Sequence, residues 1–188
     1  MRAIVFGLMA LALAACGQKP EVVAQGAGCA LSAEHALRFS TDTADDVITA
    51  RADGPTCDQA VVTLVVRNAE GDPLWAFAST YNDMVRGGAP VEGAEPVSSE
   101  AVQTFLTGWA DFTTMRSGEL PEWREDAESL SASVQELSYD TPFGREAYEM
   151  LRGRNLATIC YAASMESSQC LIIDPMSQST TMIVAFGP

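Results

Sequence analysis

Residues 61–66 read Val-Val-Thr-Leu-Val-Val, and every position except Leu64 carries a β-branched side chain. β-Branched residues are enriched in strands, and this run is typical of a central strand that is buried on both faces. Residues 68–73 (NAEGDP) have the composition of a turn, and residues 74–78 (LWAFA) return as a second strand. The region therefore predicts a β-hairpin.

The flanking segments extend this strand pattern. Residues 47–52 form a strand-like run that ends at the turn cluster 53–55, and residues 36–40 offer an earlier strand. Strands that are adjacent in sequence and joined by short polar turns favour antiparallel pairing. The C-terminus predicts a meander of three such strands, at residues 156–162, 170–173 and 181–186.

Two helices are predicted between these strands. Ser98 is a suitable N-cap for the first, which we expect to end near Gly118. Its apolar stripe has three- and four-residue steps and consists of Val102, Phe105, Leu106, Trp109 and Phe112. Residues 120–138 are acidic and predict a long surface connection, and a shorter helix begins at Thr141-Pro142 and stops at Gly153.

These elements predict the α+β fold class. We expect a single globular domain over residues 29–188, with an antiparallel sheet of about five to seven strands and one or two helices packed on one face. Trp75 lies on a strand and Trp109 on the helical stripe, so core packing is the default role of both side chains.

The N-terminus carries a targeting pattern. Met1-Arg2 supplies a positive start, and residues 3–15 contain no polar side chain. This run is shorter than the roughly 20 residues that a transmembrane helix needs, and it fits a secretory signal peptide. It closes with Leu13-Ala14-Ala15-Cys16, which resembles the lipobox of bacterial lipoproteins.

The resemblance is confined to these first residues and implies cleavage before Cys16, acylation of its thiol and anchoring in a bilayer. Residues 1–15 would then be the signal peptide, and residues 16–28 the lipidated cysteine and a flexible tether. In such lipoproteins an Asp after the Cys favours the inner membrane. Gly17 stands there, which implies the periplasmic face of the outer membrane. The alternative is an ordinary signal peptide followed by a chance cysteine.

Four cysteines lie in the domain, namely Cys29, Cys57, Cys160 and Cys170. An even number in an exported chain predicts two disulfides, for which three connectivities exist. We favour Cys29–Cys57 and Cys160–Cys170, because a hairpin would place the second pair nearly opposite each other. A thiol redox centre or a zinc site is the functional alternative, but no Cys-x-x-Cys spacing is present. We expect no metal and no cofactor.

Charge excludes some partner classes. The chain has 25 acidic and 11 basic side chains and a formal net charge of −14. Nucleic acid binding and polybasic docking on anionic lipid both need clustered cations, so neither is expected. The sequence contains 1 His, which excludes a multi-histidine metal site.

Polar clusters were weighed as candidate sites. His35 would need a nucleophile and an orienting acid to act as a base, and a surface histidine is favoured. Asp42, Asp45 and Asp46 are close enough in sequence to suggest a Ca²⁺ site, but they lack the spacing of an EF-hand loop. A solvated turn before a strand is the favoured interpretation of these three residues.

A third cluster surrounds Trp123. The acids between residues 119 and 128 form a charge run, and such runs are usually solvated. A central aromatic ring with an acidic rim would alternatively suit docking to a cationic protein. The candidate partner-binding residues are Glu122, Trp123, Glu125 and Asp126.

These observations favour binding over catalysis. No Gly-x-Ser-x-Gly elbow or phosphate loop is present in the sequence. We expect a non-enzymatic envelope lipoprotein that binds an envelope protein, as an assembly or maintenance accessory or as an acidic inhibitor of a cationic enzyme. The alternative is a periplasmic small-ligand binder or hydrolase with an unrecognised site, for which a deep pocket with convergent polar groups would be the signature.

Acylation of Cys16 can be tested directly. In cells fed labelled palmitate, we expect the chain to incorporate label and Cys16→Ser to abolish it, because the thiol is the acceptor. Mass spectrometry of the N-terminal peptide should find acylated Cys16 as the first residue. An unmodified cysteine in a fully processed chain would instead indicate an ordinary signal peptide.

Overall fold

The computed structural model describes residues 28–88, 93–134 and 137–188. The signal peptide, Cys16 and the tether up to residue 27 lie outside the described residues, so these assignments stay predictions. The described residues form two antiparallel sheets of four and five strands, four α-helices and two disulfides. The predicted antiparallel α+β class is confirmed, and the structure divides the strands between two sheets.

The first sheet is a meander in which each strand pairs with its neighbour in the chain. The predicted hairpin forms its second half, where Leu64 lies opposite Phe77. The first strand ends at Leu37, two residues before the buried Phe39, whereas residues 36–40 were predicted as the strand. The four strands are β1 (Cys29–Leu37), β2 (Asp46–Gly54), β3 (Val61–Arg67) and β4 (Pro73–Thr80).

The second sheet collects strands from distant parts of the chain. Its members are β5 (Thr113–Arg116), β6 (Ser138–Asp140), β7 (Ala157–Ala162), β8 (Ser168–Ile173) and β9 (Thr180–Gly187). The spatial order is β5-β7-β8-β9-β6, with every pair antiparallel. The three-strand C-terminal meander agrees with the prediction. The short edge strands β5 and β6 were not predicted, since each depends on the open edge of β7 or β9 and carries little pattern of its own.

Four helices connect or cover the sheets: α1 (Tyr81–Arg86), α2 (Ser99–Ala110), α3 (Leu130–Ser133) and α4 (Arg145–Gly153). Ser98 caps α2 as predicted, because its Oγ accepts the N–H of Ala101 at 3.1 Å. Among the described residues, no helix combines the length and apolarity needed to cross a membrane.

The end of α2 and the start of α4 differ from the prediction because of contacts with distant strands. The predicted extension of α2 toward Gly118 is wrong, because Thr113–Arg116 pairs with β7 as β5. α4 begins at Arg145 rather than at Thr141, whose hydroxyl donates to the Ile183 carbonyl at 2.7 Å. Both segments therefore make hydrogen bonds to strands of the second sheet instead of continuing a helix.

The sequence predicted that β3 is buried on both faces, but the structure buries only one of them. Val62, Leu64 and Val66 are fully buried, whereas Val61 on the opposite face is 48% exposed. The buried face shares a core cluster with Leu106 of α2. Because α2 covers the sheet from one side only, β-branched residues on the other side remain partly accessible.

Both predicted disulfide pairings are confirmed. Cys160 and Cys170 lie directly opposite each other on β7 and β8, with a Cα–Cα distance of 4.0 Å. Cys29 at the start of β1 is joined to Cys57, in the turn before β3, with a Cα–Cα distance of 4.8 Å. In the chain-entropy model each bridge contributes about 3 kcal/mol by restricting the unfolded chain.

The two sheets meet through the aromatic cluster, which we define as Trp75, Phe77, Phe105, Trp109, Phe112 and Tyr161. Tyr161 on β7 is central: its ring centroid lies 4.5 Å from Trp75 and 5.4 Å from Phe77, both on β4. Trp109 of α2 contacts Phe77 edge-on at 6.1 Å. The cluster therefore joins the first sheet, α2 and the second sheet in one core.

The hydroxyl of Tyr161 is satisfied inside this core. It donates to Gln169 Oε1 at 2.7 Å, across the β7–β8 pair. Burial disfavours the phenolate and raises the pKa of Tyr161 to about 12. The residue therefore remains a neutral donor under all physiological conditions.

A buried carboxylate fixes the turn between β1 and β2. Asp46 is fully buried, and it accepts the N–H groups of Phe39 and Ser40 at 2.8 and 2.6 Å. The Ser40 hydroxyl donates to its other oxygen at 2.6 Å. Backbone donors that lose such a partner inside a protein are costly, so Asp46 has a structural role in this turn.

We expect Asp46→Ala to lower the free energy of unfolding by about 3 kcal/mol, because two N–H groups and a hydroxyl lose a charged acceptor. Asp45→Ala is the matched control: Asp45 is 62% exposed, and among the described residues its one ion pair is with Arg38, at 3.2 Å. Its loss should cost under about 1 kcal/mol. Urea unfolding at neutral pH measures both, and equal losses would contradict the structural role of Asp46.

Tyr161 predicts an alkaline loss of stability. Above pH 10 the unfolded chain ionises its phenols, while folded Tyr161 keeps its proton until about pH 12. The folded state then binds more protons than the unfolded state, so the free energy of unfolding should fall as pH rises through this window. Tyr161→Phe should reduce the slope measured by urea unfolding between about pH 10 and 12. An unchanged slope would contradict this assignment.

Candidate functional site

A cleft of about 1060 Å³ lies beside the aromatic cluster. Its first wall is the C-terminal half of α2 with the residues that follow it, and its second wall is a segment near residues 119–124. Its floor is the end of β7 and β8 with parts of β5, β6 and β9. The main lining side chains are Phe105, Trp109, Phe112, Met115, Leu120, Tyr139, Tyr161 and Phe186.

The first wall is attached to the second sheet by a hydrogen bond. Trp109 Nε1 donates to the Ala162 carbonyl at 2.8 Å, at the end of β7 that the short strand β5 does not reach. Phe105 stacks on Trp109 with ring centroids 5.1 Å apart. Gly108 lies on the same wall, and a Cβ added there would meet no atom within 4 Å. The helix therefore faces the cleft with open space at this position.

The floor contains the second disulfide. Cys160 and Cys170 both line the cleft, and the Met115 sulfur lies 3.7 Å from Cys160 Sγ. On the far side Tyr139 packs against Phe186 with ring centroids 5.5 Å apart. Covalent and aromatic contacts thus hold both sides of the floor.

Side chains of α4 hold the second wall in place through hydrogen bonds. The Tyr148 hydroxyl donates to the Pro121 carbonyl at 2.7 Å, and Arg152 Nε donates to the Leu120 carbonyl at 2.8 Å. Burial is the main reason that the pKa of Tyr148 lies well above its ordinary value, so the hydroxyl remains a donor. A segment without regular secondary structure is consequently fixed at several backbone positions.

The predicted partner-binding residues are divided by the fold. Trp123 is half-buried: its ring lies 6.2 Å from Tyr148, and its Nε1 donates to the Ala127 carbonyl at 3.1 Å. Glu122 lines the cleft, whereas Glu125 and Asp126 are exposed and do not belong to its lining. A role for the acids in an interface stays a prediction, and the structure gives the indole a packing role.

The other sequence candidates do not line the cleft, although Asp111, the neighbour of His35, does. His35 Nε2 is 3.6 Å from Asp111 Oδ1, and within the described ranges no hydroxyl or thiol is hydrogen-bonded to His35. Asp42 pairs with Arg116 at 3.3 Å, away from the buried carboxylate of Asp46. The residues that the structure describes contain no group of three or more His, Cys, Asp or Glu arranged to hold a metal ion.

The charged groups of the cleft lie at its walls. Asp111 stands on the α2 side, and Glu119, Glu122 and Arg124 stand on the opposite side. One oxygen of Glu119 accepts the Arg116 N–H at 2.9 Å, which leaves the other oxygen available. The cleft is therefore apolar in its interior and charged at its margins.

The sequence pattern did not identify this site, because Phe105, Trp109 and Phe112 all fit the core-facing stripe of a helix. The cleft arises where that stripe extends past the edge of the first sheet and meets the second. A glycine at position 108, inside an otherwise good helical pattern, was the one local signal. No protein family matches the chain, and neither a curated protein nor a solved structure is detectably similar to it.

Proposed function

We propose that the protein is a non-enzymatic lipoprotein of the bacterial envelope that binds an apolar segment of a macromolecular partner in the cleft. The cleft is the observation that carries this proposal. Its volume of about 1060 Å³ reaches the upper end of the 300–1,000 Å³ typical of ligand sites, and aromatic and aliphatic side chains dominate its lining. Lipidation of Cys16 and a tether over residues 17–28 would deliver the cleft to partners at the membrane.

The construction of the walls supports binding with little reorganisation. Trp109 is hydrogen-bonded to the Ala162 carbonyl. The backbone of the second wall is hydrogen-bonded to Tyr148 and Arg152. A site that is already ordered loses less conformational entropy on association, so more of the apolar contact energy appears as affinity. Aromatic side chains in such a position are the usual anchors of protein interfaces.

The carboxylates of the cleft favour recognition over acid–base catalysis. The Asp111 side chain is 72% exposed, and Glu122 is exposed on the facing wall. A catalytic acid is normally desolvated so that its proton affinity differs from that of its partner. Solvated carboxylates at a rim instead select a ligand by its charge.

A periplasmic small-ligand binder is the second candidate. The same observation supports it, since a cleft of this volume would also hold a drug-sized molecule. The two functions differ in their readout. A macromolecular partner would be retained from envelope extract, whereas a small ligand would be released from the purified protein on denaturation.

Gly108 permits a direct test of the cleft. We expect Gly108→Leu to weaken binding of the neutral apolar dye Nile red by at least about tenfold, because the side chain would enter the cleft. Gly108→Ala is the matched control: it adds a Cβ in open space and removes the cost of glycine in a helix, about 1 kcal/mol. Fluorescence titration measures dye affinity, and urea unfolding confirms that both variants are folded.

The same pair of variants identifies a specific partner. A protein retained from envelope extract by wild type and Gly108→Ala, and lost with Gly108→Leu, would occupy the cleft. Retention by all three proteins would place that interface elsewhere. If wild type and Gly108→Leu bind Nile red equally, the cleft is not the ligand site and the proposal fails.

A further inference from the structure

Two further depressions share lining residues with the cleft, near opposite ends of β7. Ala162, Ser168 and Phe186 also line an adjoining depression of about 360 Å³, where Met165 is 56% exposed. At the other end, Met115 and Glu119 are shared with a depression of about 370 Å³. Together these spaces form a groove over the second sheet, which suits an elongated ligand better than a compact one.

The margins of this groove are anionic. Five carboxylates line it against three cations: the carboxylates are Asp42, Asp111, Glu119, Glu122 and Glu166, and the cations are Arg38, Arg116 and Arg124. Arg38 pairs with Asp45 at 3.2 Å, and Arg116 pairs with Asp42 at 3.3 Å. The Arg124 guanidinium already has partners within the protein. Its Nε lies 3.5 Å from Asp126 Oδ1, and a terminal nitrogen donates to a backbone carbonyl. Glu122 makes no ion pair within the described residues. The rim therefore favours positive charge on whatever lies in the groove.

The lining also offers hydrogen-bonding groups that the fold does not use. The hydroxyls of Thr113, Tyr139 and Ser168 line the cleft, and none of them is hydrogen-bonded within the described part of the chain. A polypeptide presents an amide donor and acceptor at every residue, whereas an acyl chain presents none. Separated hydroxyls on an apolar surface therefore match a peptide better than a lipid chain.

We propose that the groove binds an extended peptide segment whose apolar side chains are flanked by lysine or arginine. This inference rests on the proposed function and specifies the chemistry of the partner. Burial of the apolar side chains supplies most of the affinity, and the acidic rim supplies selectivity and a faster encounter. An anionic ligand, including a fatty acid, would bring its carboxylate against Asp111, Glu119 or Glu122.

The test compares three fluorescein-labelled peptides of about eight residues that share one apolar core and end in Lys, Gln or Glu pairs. The protein is the mature chain, residues 16–188, with Cys16→Ser so that no detergent competes for the cleft. We expect the Lys peptide to bind about tenfold more tightly than the Glu peptide near 20 mM salt, and the difference to shrink to about twofold near 0.5 M.

Glu122 provides the local control. Glu122→Lys should remove most of the preference for the Lys peptide, because it reverses a charge on the groove itself. Glu128→Lys makes the same charge change at an exposed acid outside the lining, so it should leave the preference nearly unchanged. A general effect of net charge would instead change both variants equally and overturn the inference.

The remaining outcomes separate the two proposals. If Gly108→Leu abolishes binding of all three peptides and wild type binds them equally, the cleft is a binding site but the inference about charge is wrong. Displacement of the Lys peptide by sodium palmitate at lower concentration than by unlabelled peptide would assign the groove to acyl chains. If Gly108→Leu binds the Lys peptide as wild type does, both the inference and the proposed use of the cleft fail.

Discussion

Contact of Tyr161 with both layers of the protein is the interaction on which the rest of the structure depends. Its ring packs on Trp75 and Phe77 of the first sheet and on Phe112 after α2, while its hydroxyl is hydrogen-bonded to Gln169 within the second sheet. The two antiparallel sheets need such a shared core, because neither sheet alone could exclude water from the apolar face that contacts the other.

The cleft is a geometric consequence of this junction. α2 covers the first sheet with its buried residues, and its last turn extends far enough for Trp109 to reach the Ala162 carbonyl of the second sheet. The helix α2 therefore contacts both the first and the second sheet. The segment that Tyr148 and Arg152 hold in place also lines the cleft, together with Ser133 and Val134.

Local patterns were informative wherever the responsible interactions are local. The β3–β4 hairpin, the Ser98 cap and the facing pair Cys160 and Cys170 each follow from residues close in sequence, and all three are present. The errors occur where long-range contacts dominate. The helical stripe predicts a helix that continues through residues 113–116. These residues form β5 instead, because pairing with β7 outweighs the local preference of only four residues. β3 was expected to be buried on both faces, but strand propensity cannot indicate how many layers cover a sheet.

The amino-acid sequence alone predicted the antiparallel α+β class, the favoured disulfide pairing and the N-terminal resemblance to lipoproteins, because hydrophobic period, turn composition and cysteine spacing can be read without the tertiary structure. The division into two sheets, the inward position of Trp123 and the cleft depended on tertiary structure. A helical stripe such as Phe105, Trp109 and Phe112 reads identically whether it faces one sheet or spans two. The packing of distant elements decides which of its side chains enter the core and which line a binding site.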